Sequence, residues 1–363
     1  MIAILSAPDS DTFYGAVMAV EPMIRYLTEA DTRHVMSQLN PVAIAREVSV
    51  LHASGQARLP GEVCLRWQGR AGGEARSLNM PGGLSGRYNA VGTKVINACL
   101  GNVGQGLPRA SGLTMLFDPA TARIVSIMAA QHISAQRTAA VTVAAAAELL
   151  VESDLNVAVI GAGPLARSHI ELLAGELPSC IQVTVYDQCA DRAEQLCQDL
   201  APGLREFSVK IRTAGSARAA IDGAGLIIPA TTATTGYIEY GWLIPGCVVI
   251  NVSLDDVLEE TVRRADLVFV DDWELIAGDT KRLFGRMYRS GRLVGPSHKA
   301  TLSARRVDAE LGEVFVGKHP GRQQAGDIIL VNPFGMAIHD IALAAEVHRI
   351  AERDGIGVLL PVV

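Results

Sequence analysis

The residues whose spacing suggests chemistry lie at three places. The first is "NVAVIGAGPLARSHIELL", where Gly161, Gly163 and Ala166 make a G-x-G-x-x-A series. Gly161 permits a tight turn, Gly163 lets the backbone approach a pyrophosphate, and the small Ala166 lets helix and strand pack closely. Pro164 and Leu165 open the following helix, whose free N–H groups would face phosphates. The pattern predicts a dinucleotide grip. A second strand, "IQVTVYD", ends at Asp187, about 20 residues past the motif, where a carboxylate bonds ribose hydroxyls and repels a 2′-phosphate. NAD is therefore expected over NADP. The second place is a set of cations. Lys94 is bracketed by Val91, Val95 and Ile96, so both faces of its strand read as apolar. A buried ammonium needs an anionic partner. Arg76 lies in another strand-like segment, and Arg137 is read as opening the helix "RTAAVTVAAAAELL". A cation at a helix N-terminus opposes the macrodipole unless an anion sits there. Together the cations predict a pocket for a substrate bearing carboxylates. The third place is the polar ends of apolar runs. Thr231, Thr232, Asn251 and Ser253 follow strand-like segments and are expected on the nicotinamide side, because doubly wound sheets bind ligands at strand carboxyl ends.

These side chains need a scaffold. The order strand, glycine turn, helix is the context the glycine motif requires. More α/β rhythm follows in "AGLIIPATTATT", "CVVINVSL" and "ADLVFVDDW". Before the motif the pattern changes. "EVCLRW", "ARSLNMP", "AVGTKVINA", "GLTMLFD" and "RIVSIMA" alternate in polarity between Gly, Pro and Asn, predicting an antiparallel or mixed sheet. "FDPATAR" reads as a hairpin turn and "EPMIRYLTEADTRHVMSQL" as a helix. The C-terminal "GMAIHDIALAAEVHRIAERDG" reads as a long amphipathic helix ended by Gly355. Its apolar stripe (Ile338, Ile341, Ala342, Ala345) predicts a return to the N-terminal part, with Gly335 and Met336 beside the nicotinamide. Strands without crossover helices make a separate α+β domain beside the nucleotide domain.

Composition narrows the function classes. A chain of 363 residues with 49% hydrophobic and 19% charged residues has core enough for two domains. A net charge of −6 argues against a general nucleic-acid binder. The most apolar window, Thr138 to Val151, is shorter than the ~20 residues of a membrane span, so it predicts a buried helix. The start, "MIAILSAPDSDTFYG", lacks a basic segment before an apolar run, so no signal peptide is expected. The six cysteines form no C-x-x-C pair and the eight histidines show no ligand spacing, so a cytoplasmic chain with reduced thiols and no metal is expected.

The order "GTKVINACLGN", "SAQRTAAVTVAAA", "VIGAGPLA" resembles the ornithine cyclodeaminase/μ-crystallin family. "YIEYGWL", "NVSLDDV", "ADLVFVDDW", "AELGEVFVGKHPGR" and "DIILVNPFGMAIHDIA" are similar to its 2,3-diaminopropionate biosynthesis branch, which serves siderophore and peptide-antibiotic pathways. The resemblance implies an α/β protein whose Rossmann domain (residues 135–334) is inserted in an α+β substrate-binding and dimerisation domain (1–134 plus 335–363). It implies a homodimer and an NAD-dependent oxidation of the secondary amine N-(1-amino-1-carboxy-2-ethyl)-glutamate, giving 2-oxoglutarate and 2,3-diaminopropionate. By position, Lys94 matches the family's active-site lysine, Arg137 the arginine of "RTAA", and Arg76 an arginine before "MP"; Arg66 of "CLRW" is a further match. A catalytic aspartate follows the strand corresponding to "VVINVSL", where both Asp255 and Asp256 stand. Ornithine cyclodeaminases carry a D-x-P-G-K-type segment where this chain has "DDVLEE", which speaks against cyclisation. Other enzymes of the group (ornithine cyclodeaminase, alanine dehydrogenase, imine reductase) are the alternatives. A non-catalytic crystallin-type NADPH- or hormone-binding protein is the alternative outside catalysis.

Overall fold

The structure is a computed structural model that describes residues 23–69, 73–151, 154–299, 301 and 303–361. The segment read for a signal peptide lies outside them. Two eight-stranded sheets organise the chain. The first is mixed, in the order Val358–Pro361, Met23–Leu27, Ile124–Ala129, Ala110–Phe117, Ala90–Cys99, Glu74–Leu84, Ala57–Arg58, with Val63–Gln68 also pairing Glu74–Leu84. Asp118 closes the expected hairpin, its Oδ1 accepting the backbone N–H groups of Ala120 and Thr121.

One expected element differs. The Glu21–Leu39 segment does not form a single helix, because Met23–Leu27 is a strand and the helix spans Glu29–Met36. Thr28 separates them. Its hydroxyl accepts from Asp31 N–H while the Asp31 carboxylate accepts from Thr28 N–H, so the helix starts there. The preceding residues find ladder partners on both sides, parallel to Ile124–Ala129 and antiparallel to Val358–Pro361. Pairing between residues more than 100 positions apart is invisible to a local pattern.

The second sheet is all parallel, in the order Lys210–Thr213, Cys180–Tyr186, Leu155–Ile160, Leu226–Pro229, Val248–Ile250, Ile329–Asn332, Leu267–Val270, Ala309–Glu310. The chain leaves Leu155–Ile160 to one side and returns at Leu226–Pro229 on the other. That reversal opens a crevice at the strand carboxyl ends. Apolar side chains fill both faces of this sheet, as a buried parallel sheet requires.

Two helices join the sheets. Ala130–Leu149 follows its strand without a break and packs on Pro41–Ala53, on Pro164–Glu176 and on the C-terminal helix. The expected domain boundary at 134/135 falls inside it. The C-terminal helix Ala337–Arg353 lies on the first sheet, where Ile338, Ile341, Ala342 and Val347 enter a core with Leu84, Leu116 and Met128. No helix among the described residues is long and apolar enough to cross a membrane.

Candidate active site

The glycine loop is built as a dinucleotide grip. Gly161 has φ +102°, and a Cβ there would lie 2.6 Å from the Ala230 carbonyl oxygen, so only glycine fits between the neighbouring strands. A Cβ on Gly163 would meet nothing within 4 Å, leaving that side of the loop open. Helix Pro164–Glu176 has no side-chain cap at Gly163, so its first N–H groups stay available to an anion. Leu165 is half-buried in that first turn, and Ala166 is fully buried against the sheet. Asp187 stands one residue past its strand and accepts the backbone N–H groups of Ala162 and Cys189 at 2.8 and 2.9 Å. These residues fit the adenosine and pyrophosphate halves of a dinucleotide.

The strand ends divide into open and closed positions. Thr231 N–H donates to Ser253 Oγ, and Thr231 Oγ1 donates to Asp256 Oδ1. Thr232 is exposed beside them. Asn251, expected on the nicotinamide side, is instead fully buried. Its amide donates to Asn332 Oδ1 at 2.8 Å, tying two parallel strands together. Met336 likewise turns into the core of the first sheet rather than toward the crevice. Gly335, three residues past the strand Ile329–Asn332, has φ +105°, and its N–H donates to Asp271 Oδ2 at 2.6 Å.

The cations separate into two groups. Lys94 is 1% exposed and donates to Asp340 Oδ2 at 2.8 Å and to Ser134 Oγ at 3.2 Å. Arg137 Nε lies 3.1 Å from the same carboxylate oxygen, within ion-pair reach although not aligned for a hydrogen bond. The anionic partner that a buried Lys94 demands is therefore Asp340, which is 0% exposed. Two cations thus share one directly paired carboxylate among the described residues. Burial, then the charge of Arg137, brings the Lys94 ammonium down to about 8 against the opposing pull of Asp340. Gly335 backs the arrangement, since a Cβ on it would lie 2.7 Å from Arg137 Nη1. The sequence-based reason for singling out Arg137 does not hold. The helix begins at Ala130, so Arg137 sits well inside it, where the terminal dipole does not act.

Arg66 and Arg76 face the same side of the sheet as Lys94 but farther along it. Arg76 pairs across to Ala98 and to Arg66, whereas Lys94 pairs with Met80. Four residues separate the two levels, about 13 Å at ~3.3 Å per residue. Arg66 is bound by Glu74. Burial lowers the Arg76 guanidinium from its usual range, and the charges of Arg282, Arg109 and Arg66 add to that. The site thus presents two cationic levels, Lys94 with Arg137 and Arg76 with its arginine neighbours.

Of the two aspartates after "VVINVSL", Asp255 is engaged by Arg282 at 2.8 Å, by Leu283 N–H at 2.9 Å and by Arg286 at 3.3 Å. It anchors the segment around Arg282. Asp256 is fully buried and accepts from Thr231 and Tyr237, with Oδ2 left without a partner. Burial raises its carboxyl above the usual range.

Three residues escaped the sequence reading. Asp340 reads as part of a polar helix face, yet it falls between Ile338 and Ile341 on the buried side; a charge inside an apolar stripe was the available signal. Arg282 lies in a segment with no motif. Glu62 lies in the loop before Val63–Gln68, with Oε1 buried and without a hydrogen-bond partner among the described residues. Burial pushes its carboxyl up to about 7, although Arg137 and Lys94 pull the other way.

This arrangement can hold a dinucleotide at the parallel strand ends and a polyanionic small molecule against the first sheet. Known proteins are similar to this chain in sequence and fold. The chain is 31% identical over 289 residues to N-((2S)-2-amino-2-carboxyethyl)-L-glutamate dehydrogenase of Staphylococcus aureus, covering 78% of this chain and 82% of that one. It is 26% identical to the mouse (Mus musculus) ketimine reductase mu-crystallin, covering 73% of this chain and 77% of that one. The solved structure of CmnK superposes with a TM-score of 0.85 at 33% identity, covering 94% of this chain and 99% of that one. Thermococcus litoralis Delta(1)-pyrroline-2-carboxylate reductase has the same fold, with a TM-score of 0.81 at 23% identity over 92% of this chain and 99% of that one. The model of the ornithine cyclodeaminase/mu-crystallin family matches residues 23–354, and the chain belongs to that family.

Proposed function

We propose that this chain is an NAD-dependent dehydrogenase of N-(1-amino-1-carboxy-2-ethyl)-glutamate, releasing 2-oxoglutarate and 2,3-diaminopropionate for siderophore or peptide-antibiotic assembly. The observation that carries the reading is the pair of cationic levels on one sheet face, about 13 Å apart at ~3.3 Å per strand residue. A substrate with carboxylates at both ends uses both levels; alanine would use one. The similarity to the Staphylococcus aureus dehydrogenase supports the same substrate.

When bound, NAD supplies the hydride acceptor. Gly161, Gly163, Pro164, Leu165 and Ala166 would hold its pyrophosphate, Asp187 its ribose, and Thr231, Thr232, Ser253 and Gly335 would border its nicotinamide. Lys94 and Arg137 take a substrate carboxylate, because the two cations share one directly paired carboxylate among the described residues, Asp340. Arg76, with Arg66 beside it, takes a distal carboxylate. Fixing both ends orients the carbon that loses hydride, and such orientation is worth several kcal/mol. Asp256 fixes Thr231 at the strand end, and Asp255 fixes Arg282 near Arg76.

We also propose a homodimer. Val63, Leu65, Trp67, Val91 and Leu113 are exposed and alternate with the site residues, so they share the opposite face of the first sheet. An apolar face of that kind supports burial against a second copy.

The test is incubation of purified protein with NAD and a panel of amino acids and N-linked conjugates, following NADH. The glutamate conjugate should give the highest kcat/KM. Turnover confined to alanine or ornithine would overturn the reading.

A further inference from the structure

Glu62 is the one carboxyl group of the site that no described residue engages. Among the described residues it makes no ion pair, and its buried Oε1 has no hydrogen-bond partner. Yet charges from four other segments act on it: Arg137 from the helix Ala130–Leu149, Lys94 from the strand Ala90–Cys99, Asp340 from the C-terminal helix and Asp271 from a parallel strand end. The strand register gives the geometry: Val63 pairs with Asn79, so Glu62, one residue earlier, comes level with Met80, whose other neighbour is Lys94, about two strand spacings (~10 Å) across the same sheet. Asp340 Oδ1 is also buried without a partner. Two cations beside two unpartnered carboxylate oxygens complement a group carrying both a carboxylate and an amine. Asp255 cannot serve the amine, because two arginines and a backbone N–H hold it. Asp256 is fully buried, and its Oδ1 is occupied by the Thr231 hydroxyl and Tyr237.

We propose that Glu62 is the proton-exchanging residue, taking the N–H proton of the substrate amine and later returning it to the departing nitrogen. The proposal rests on the function given above. As the α-carbon C–H bond breaks, its electron pair leaves as hydride to NAD, the N–H proton passes to Glu62, and a C=N bond forms. Glu62 then returns the proton to nitrogen while water oxygen bonds to the carbon. The water gives one proton to the nitrogen and one to the medium, and the C–N bond breaks with its pair on the amine. One proton is released in all. A bound substrate carboxylate would blunt the pull of Lys94 and Arg137 on Glu62, which raises its affinity for the proton it must accept.

The test compares wild type, Glu62→Gln and Glu62→Asp in the full chain. Difference infrared titration should show a carboxyl protonating near pH 7 that Glu62→Gln lacks. With the glutamate conjugate, Glu62→Gln should lower kcat by ~100-fold or more, the scale of general acid–base catalysis, with unchanged NAD affinity. Ionised Glu62 is the competent form, so wild-type kcat/KM should fall as pH drops through about 7; this limb should vanish in Glu62→Gln and persist in Glu62→Asp. Glu62→Gln turnover within about threefold of wild type, with the acid limb in place, overturns the proposal. Absence of a carboxyl titrating near pH 7 overturns it too. A wild-type protein that forms no NADH from any glutamate conjugate overturns the functional proposal alone, and Glu62 then stands or falls on the titration.

Discussion

Asp340→Asn removes one charge and almost no volume, and it should be among the costliest single changes in this chain. Asp340 lies 2.8 Å from Lys94 Nζ and 3.1 Å from Arg137 Nε, with no exposure to water. Removing one partner of a buried charge cluster typically costs about 3–5 kcal/mol, because the charges left behind lose their compensation. Two cations are stranded here, but they respond differently. The Lys94 ammonium is already down to about 8, so without Asp340 it can discharge near neutral pH. A guanidinium cannot lose its proton, so the residual penalty falls on Arg137. We expect a loss of about 3–4 kcal/mol at pH 7, against a total stability on the order of 5–15 kcal/mol. Urea unfolding of wild type, Asp340→Asn, Lys94→Met and the double variant measures it. The double variant should be more stable than the sum of its parts by about 1–3 kcal/mol, the range found for residues sharing one network. A loss under about 1 kcal/mol, or strict additivity, would refute the idea that one carboxylate holds both cations.

Arg137→Lys should lower kcat/KM by on the order of 2–4 kcal/mol while NAD affinity stays unchanged, because a lysine cannot make a two-pronged carboxylate contact. Near-normal turnover would make Arg137 purely structural; isothermal titration with NAD provides the second half of the test. Gly335→Ala combines φ +105° with a Cβ 2.7 Å from Arg137 Nη1. It should cost about 1–3 kcal/mol of stability and raise substrate KM, and an unchanged KM would show that Gly335 does not position the guanidinium. Asp187→Ser should narrow the preference for NAD over NADP, read as the ratio of the two kcat/KM values. A wild-type ratio that already favours NADP would overturn the ribose assignment.

The glycine loop, its flanking strands and the acid at Asp187 were legible because each depends on neighbours in the chain: a turn needs glycine where φ is +102°, and a buried strand needs an apolar run. The need for an anion beside Lys94 was legible too, since the cost of burying an ammonium follows from residue type alone. The identity of that anion was not. Asp340 is 246 positions away, and although a charge inside an apolar stripe signals burial, nothing local says which distant cation it will meet. The strand at Met23–Leu27 was hidden for the same reason, because its partners come from Ile124–Ala129 and Val358–Pro361. Asp255 and Asp256, adjacent in sequence, received different tasks only when Arg282 closed on one and Thr231 on the other. Sequence by itself determined which residues carry charge, which turns need glycine and which runs must be buried, because these follow from side-chain chemistry and local geometry. Tertiary structure alone decided which charge meets which, because a hydrogen bond or ion pair requires atoms within about 3 Å, and only the folded chain brings distant segments that close.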